Sequence, residues 1–525
     1  MLAEAPRAGK RGRELAAVAL LSLAVVIVVQ ILSGAYSAEY SGAADEAAHA
    51  VTSLMVRDYL LTFPWQNPVD FAVQYYIHYP KVAIGHWPPG YFLAQALWWL
   101  VLPPGRMSAM AFNVVTAVAA SLLFYPLARR WATPYWAAGV TVVMLLTREM
   151  QDAVSQMMSD LLSLVAALLV MRTLIAAAEK PATRTLAAVV AALALTMAVK
   201  PTAVALVPGV LIALLATGAV SEMGRKVLIP AAWAGAGAVP VAVWYISQTD
   251  GGFAGLLRWG GWGTRGPWHI GILPQLAGYG VLAAAIGGMG IAVWRRRADA
   301  VVLASLLAGM VMTSYLVRAM RESRHWIFAI PLLLLLTLVV RAELVPRTRW
   351  AWGIVAVMLF FPYHLYRQQP LGFEALAGQM PLPARMLVSS PSGWSEGCWV
   401  ATVSFAERRP GSTIVRATKA LADTDWNSRD YKLLASTGDA MDRILDESGV
   451  DRVILHDGVA EPRLPHHDAL AGWLSTTTRW RPCGQAGEVR AYCRVAPPRY
   501  ARKPIRIDLR RHISRIIEED TRAGQ

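Results

Sequence analysis

The chain has 525 residues, of which 55% are hydrophobic and only 16% charged, with a mean hydropathy of +0.39. Soluble domains carry about 25% charged residues, so a water-soluble protein of this size could not cover its surface with these. The net charge of +15 does not point to nucleic acid, because Lys and Arg sit mostly in short loops between apolar runs. There they act as topology signals rather than as a phosphate-binding face.

Residues 1–14 carry Arg7, Lys10, Arg11 and Arg13, and the apolar run 15–32 follows. That run exceeds a signal-peptide core and residues 33–38 offer only a weak cleavage signal. It therefore reads as a retained first span with a cytoplasmic N-terminus. Further spans are predicted at 109–128, 135–147, 161–178, 186–199, 203–217, 227–246, 272–294, 301–317, 326–340 and 351–366. The expected fold class is a polytopic α-helical membrane protein of about eleven transmembrane helices, with a small C-terminal α/β soluble domain. Segment 88–102 (PPGYFLAQALWWLVL) is placed along the outer interface. If it crossed, Arg129-Arg130, Lys180, Arg225-Lys226 and Arg295-Arg296-Arg297 would all lie outside, against the positive-inside rule. Trp98-Trp99 and a helix-starting Pro-Pro also suit an interfacial helix.

This topology makes the outer loops informative. The first, 33–108, is too long for a connector and holds Asp45, Glu46, His49, Arg57, Asp58, Lys81 and His86. The second carries Arg148, Glu149, Asp152 and Asp160, and Lys200 sits at another outer turn. Loop 247–271 carries Arg258, Trp262, Arg265, Trp268 and His269; a last one carries Arg318, Arg321, Glu322, Arg324 and His325.

From residue 367 the chain turns polar. Strands are predicted at 385–389, 413–416 and 452–456 and helices at 397–407 and 439–448, giving an outer α/β domain over 367–500 behind the membrane module 1–366. All three cysteines fall here. Cys483 and Cys493 flank a Gly-containing turn and read either as a hairpin disulfide in an oxidising compartment or as two buried thiols. The basic tail 501–525 includes 504–519, an amphipathic helix or a solvated segment.

Three features bear on chemistry. Asp45-Glu46, soon after the first span, puts a carboxylate near the headgroups, where it could take a proton from an attacking hydroxyl or amine. It could equally be the N-cap of a helix over 47–61. The run Gly85-His86-Trp87-Pro88-Pro89-Gly90-Tyr91 fixes the chain direction and offers rings to a cleft or to the interface. Arg318, Arg321, Arg324 and His325, with Lys200, could hold a phosphate at the outer face, where the positive-inside rule predicts few cations.

In this order, Asp45-Glu46-Ala47-Ala48-His49, Gly85-His86-Trp87-Pro88-Pro89, and Arg148 with Asp152 and Asp160 resemble the GT-C superfamily of glycosyltransferases. The likeness covers about 15–366 and is nearest to family 39 and its bacterial relatives, the protein O-mannosyltransferases and the aminoarabinose transferases of lipid A. The chain departs from that pattern at Trp87, inserted between His86 and the prolines, and at Gly90, where a Leu is common. The resemblance implies a hexosyl- or pentosyltransferase that uses a polyprenyl-phosphate sugar at the outer leaflet and inverts the anomeric carbon. Its partners would be that donor, a lipid, glycan or protein acceptor, and membrane lipids. Asp45 would be the base, and Glu46 and His49 would orient it or the sugar. Lys81, Lys200, Arg318, Arg321, Arg324 or His325 would neutralise the leaving phosphate, with His86, Arg148, Asp152 and Asp160 as further substrate contacts. His49, His86, His269 and His325 leave room for a divalent metal, but without fixed ligand spacing no essential one is expected. The rival classes are a transporter or flippase of lipid-linked substrates, which should show mid-span charges and matching halves, and a non-catalytic scaffold.

Overall fold

The computed structural model describes residues 8–62, 64–83, 87–219, 271–316, 322–344, 365, 367–407, 409–424, 431–458 and 463–499. Helix α1 (Ala8–Leu32) leads into three helices of the first outer loop: α2 (Glu46–Leu61), α3 (Pro68–His78) and α4 (Gly90–Val101). Sequence reading missed α3, although Asn67-Pro68 is a start signal. The Asn67 side chain accepts from the N–H groups of Val69 and Asp70 at 2.8 and 3.4 Å. Helix α4 has 12 residues, about 18 Å at 1.5 Å per residue, too short to cross a hydrocarbon core.

There follow α5 (Arg106–Ala128), α6 (Pro134–Leu145), α7 (Arg148–Ser155), α8 (Asp160–Glu179), α9 (Thr183–Val199), α10 (Leu206–Ala216), α11 (Ile272–Arg295), α12 (Ala298–Leu316) and α13 (Ala329–Leu344). Among the described residues four helices are long and apolar enough to span a membrane: Arg11–Leu32, Arg106–Ala128, Asp160–Glu179 and Ile272–Arg295. The chain is thus a membrane protein. The predicted spans at 227–246 and 351–366 and the tail 501–525 lie outside the described residues, and the other predicted spans fall on helices. Several of these are shorter than expected. One reason is visible between α9 and α10, where the residue before Pro201 is driven out of the helical region: Lys200 is extended (φ −147°, ψ 126°). The break that shortens the span also frees Lys200 to turn inward.

The apolar helices pack closely where side chains vanish. A Cβ on Gly309 would stand 2.4 Å from the Gly209 Cα, so α10 and α12 cross backbone to backbone. Ion pairs gather the other ends of these helices: Arg129 Nε with Glu14 at 3.4 Å, Arg130 Nε with Asp299 at 3.0 Å, and Arg297 Nη1 with Glu343 at 3.2 Å. The basic clusters around 129–130 and 295–297 therefore share one end of the bundle. Asp160 and Arg106 begin α8 and α5 at the opposite end.

The C-terminal part contains α14 (Phe373–Gln379), β1 (Arg385–Ser389), α15 (Glu396–Ala406), β2 (Thr413–Arg416), α16 (Ala417–Ala420), β3 (Ala422–Asp423), β4 (Lys432–Leu433), α17 (Gly438–Glu447), β5 (Arg452–His456), α18 (Pro465–Thr476), β6 (Trp480–Ala486) and β7 (Val489–Arg494). The main sheet runs β2-β1-β5-β7-β6. β2, β1 and β5 are parallel and β7 and β6 antiparallel. Cys483 and Cys493 are disulfide-bonded across the β6–β7 hairpin, while Cys398 is a buried free thiol.

This sheet domain is fastened to the first outer loop. Glu39 takes the N–H groups of Leu371, Gly372, Phe373 and Glu374 at 2.8–2.9 Å, filling the donor-rich start of α14. The Gln368 N–H donates to the Ser33 carbonyl at 2.8 Å, and α15 packs directly on α2.

Candidate active site

Asp45 occupies the N-cap position of α2, and its backbone carbonyl accepts from the His49 N–H at 3.0 Å. Its side chain caps nothing. Oδ2 instead accepts from Arg324 Nη2 at 2.8 Å, across 279 residues of sequence. Of the two readings open from the sequence, helix cap or chemical group, the structure leaves the carboxylate unused by the helix. Burial works against its charge, but the Arg324 guanidinium and, more weakly, His49 and Lys81 outweigh it and hold the Asp45 carboxyl below its ordinary range.

Arg324 comes from a 3₁₀ turn (Ser323–Trp326) that leads into α13. Its carbonyl accepts from Lys200 Nζ at 3.3 Å, and Lys200 is also hydrogen-bonded to Asp160 at the start of α8. Lys200 and Asp160 are both buried. Lys81 is buried beside Asp45, and its side chain runs against Gly397 of α15: a Cβ there would lie 2.7 Å from Lys81 Cε. Burial and the nearby Arg416 push the Lys81 amine down to about 8, with Asp45 opposing them. Burial likewise pushes the His325 ring down to about 3, with Lys200 and Arg324 adding to it.

His49, one turn along α2 from Asp45, lies in an aromatic box. Trp87 stacks on it with ring centroids 4.4 Å apart, Tyr91 meets it edge-on at 5.3 Å and Phe92 lies at 5.5 Å. Burial pushes its ring down to about 4, so it is neutral at pH 7. The inserted Trp87 is thus the wall of this box.

The remaining predicted residues divide. Glu46 faces away from this cluster into a brace: Oε2 accepts from the Gly42 N–H and Oε1 from the Met157 N–H, both at 2.8 Å, and Oε1 is also ion-paired with Arg106. Arg148 is exposed and Asp152 half-buried on α7. His86, His269, Arg318 and Arg321 lie outside the described residues. Among the described residues no three of His, Cys, Asp and Glu converge as metal ligands.

Two residues were missed. Arg106 bridges four groups: besides Glu46, it donates to the carbonyls of Ala35 at 2.7 Å and Ser155 at 3.0 Å and to Gln368 Oε1 at 3.0 Å. The signal was a lone Arg at the outer edge of an apolar run. Glu149, noted only as part of the second loop, is buried on α7, hydrogen-bonded to Ser323 and shielded from water at Oε2, with no partner there among the described residues. Burial, with Asp152 adding, pushes its carboxyl up to about 7. Between its ordinary value of 4.5 and about 7, the folded chain binds a proton that the unfolded chain lacks. Stability should therefore fall as pH rises through that window and level off above it. Glu149→Gln is expected to flatten this part of the melting-temperature-versus-pH curve in detergent and to melt higher than wild type at pH 8. Parallel curves for the two proteins would show that Glu149 is ionised throughout.

No family model and no curated protein sequence matches the chain. Among solved structures it is similar to ArnT from Cupriavidus metallidurans in the apo state, with a TM-score of 0.58 and 14% identity over 91% of this chain and 97% of that one. ArnT bound to undecaprenyl phosphate gives a TM-score of 0.53 and 13% identity over 91% and 98%. The Archaeoglobus fulgidus oligosaccharyltransferase AglB, in complex with an inhibitory peptide and a dolichol-phosphate, gives 0.52 and 11% over 86% and 70%. ArnT, a lipid A aminoarabinose transferase, and AglB are GT-C superfamily members, and this chain is similar to them in fold.

Proposed function

We propose that the chain is a membrane glycosyltransferase that moves a sugar from a polyprenyl-phosphate donor to an acceptor at the outer face, with inversion. The observation that carries this reading is the Asp45–Arg324 pair: a carboxylate that the helix does not use, held by a cation suited to phosphate. Arg324 serves two partners in turn. Before the donor arrives it neutralises Asp45; when the phosphate enters it turns to the phosphate oxygens, and Asp45 becomes more basic. The acceptor hydroxyl or amine attacks the anomeric carbon, and its proton passes to Asp45. The bond from that carbon to the phosphate oxygen breaks with its electron pair on the oxygen, where Arg324, Lys200 and Lys81 stabilise the charge. Neutral His49 in its box orients the sugar or the base. The donor is already activated, so no essential cofactor is assigned to the step.

The pH profile tests the pair. The base must be unprotonated, so kcat/KM falls as pH drops through the Asp45 pKa, which Arg324 holds down. Arg324→Gln is expected to move that fall to higher pH and to raise the KM for donor. An unmoved acid limb with unchanged donor KM would remove Arg324 from both roles.

The same reading has about eleven spans, a cytoplasmic N-terminus and an outer C-terminal domain. A reporter fused after Tyr366 should then read as external and one fused near Arg129 as cytoplasmic. A cytoplasmic signal from the first would put the site on the wrong side for a lipid-linked sugar at the outer leaflet.

A further inference from the structure

An open cleft of about 370 Å³ lies where α2 meets the end of α15, within the range of about 300–1,000 Å³ usual for small-molecule sites. α2 contributes Leu54, Arg57 and Asp58; α15 contributes Phe405 and Ala406, with Glu407 just beyond its end. Solvent reaches the polar side: the Arg57 and Asp58 side chains are 23% and 18% exposed, and Ala406 is exposed. The cleft is the far end of the seam between the first outer loop and the sheet domain. At the near end of that seam a Cβ on Gly397 would meet Lys81 and Ala47. From Asp45 to Asp58 the helix rises about 20 Å at 1.5 Å per residue, so the cleft is separate from the cluster around Asp45.

Its polar groups are fixed but not used up. Arg57 Nη1 donates to Asp58 Oδ1 at 2.8 Å and Arg57 Nε to the Trp99 carbonyl at 3.3 Å, while the Tyr75 hydroxyl donates to Asp58 Oδ2 at 3.0 Å. A guanidinium has five N–H donors and a carboxylate about four lone-pair sites. Among the described residues, the bonds to these two side chains leave spare donors on Arg57 and spare acceptor sites on Asp58, side by side. Glu407 differs: its oxygens are taken by the Tyr79 and Ser412 hydroxyls and by the N–H groups of Gly411 and Ser412. It brings charge but little bonding capacity. An anion here meets two carboxylates against one Arg, and a cation must approach the guanidinium. A hydroxyl both donates and accepts, so an uncharged polyol serves Asp58 and Arg57 together, with Leu54 and Phe405 offering apolar surface to its C–H groups. We propose that this cleft holds an uncharged sugar unit of the acceptor, which makes the acceptor a sugar-bearing molecule. The assignment to the acceptor rests on the glycosyltransferase reading above. The donor sugar has to lie at Asp45 with its phosphate at Arg324, about 20 Å away, and a contact so far from the reacting carbon supplies binding energy to position the acceptor.

The test is saturation-transfer NMR of the full-length chain in a detergent without a sugar headgroup, titrated with methyl glucoside, glucose 6-phosphate or glucosamine. Methyl glucoside should bind several-fold more tightly than either charged sugar. Asp58→Asn and Arg57→Gln should each weaken it about tenfold, the loss of one charge-assisted hydrogen bond. Ala406→Trp, at an exposed position, should fill the cleft and abolish binding without touching its polar groups. Arg324→Gln should leave binding unchanged. In a transfer assay the three cleft variants should raise the KM for a sugar-bearing acceptor and leave the KM for donor as it was. If the polar variants fail to fold, Ala406→Trp decides. Methyl glucoside binding that survives Ala406→Trp, tighter binding of glucose 6-phosphate or glucosamine, or a raised donor KM in the cleft variants would each overturn the proposal. A chain that binds methyl glucoside in the cleft but transfers no sugar supports the cleft and overturns the activity instead, so the two failures are distinct.

Discussion

Asp45→Asn should slow sugar transfer by about 10²–10⁴ while leaving the protein folded and able to bind donor. The amide keeps the size of the side chain and can still accept from Arg324, but it cannot take the acceptor's proton near neutral pH. Folding should hardly register the change. The Asp45 side chain makes no cap bond, and its pair with Arg324 is partly exposed, at 17% and 31% for the two side chains. A pair of that kind adds less than about 1 kcal/mol. Purified protein in detergent, a polyprenyl-phosphate sugar and a matched acceptor give the rate; a thermal melt gives the fold. Near-normal turnover would make Asp45 structural and send the search for a base to Asp152 or Asp160.

The largest loss of stability is expected from Arg106→Ala. Glu46 is 0% exposed and Arg106 6%, and removing one member of such a pair leaves a buried charge uncompensated, at a cost of about 3–5 kcal/mol. Three further acceptors each lose a donor in the same stroke, the Ala35 and Ser155 carbonyls and Gln368 Oε1, although the Ser155 carbonyl keeps the Gln368 Nε2–H at 3.0 Å. Arg106→Lys should recover part of the loss, because an ammonium supplies charge but not the planar fork. Glu46→Gln should also destabilise, since its NH₂ must face the N–H of Gly42 or of Met157. The melting temperature is the measurement. If it stays unchanged while transfer disappears, Arg106 belongs to the chemistry rather than to the frame.

Much of the architecture follows from short-range pattern. Strands β1, β2 and β5 are β-branched or apolar runs between polar turns, and the structure has them at the predicted residues. The antiparallel β6 and β7 escaped, because Arg481, Pro482 and Gly484 break the alternation of β6 and Pro482–Gly484 is a register shift. At the site, the charged residues of the outer loops were legible as a set because they interrupt apolar sequence. Their pairing was not. Asp45 and Arg324, or Glu46 and Arg106, meet only through the packing of distant helices, and adjacent residues 45 and 46 carry side chains with opposite fates. No periodicity distinguishes the carboxylate left in the cleft from the one spent on the frame.

The contact between Gly397 and Lys81 limits how interchangeable the two halves of the chain are. A side chain at position 397 would press on Lys81, more than 300 residues earlier, and the buried Lys81 would have to shift to admit it. Grafting a foreign sheet domain behind these helices would bring its own residue against Lys81, and would have to present four N–H groups to Glu39. Successful hybrids should therefore exchange the segment from Ser33 to Lys81 together with the sheet domain, so that the halves are inherited as a matched pair.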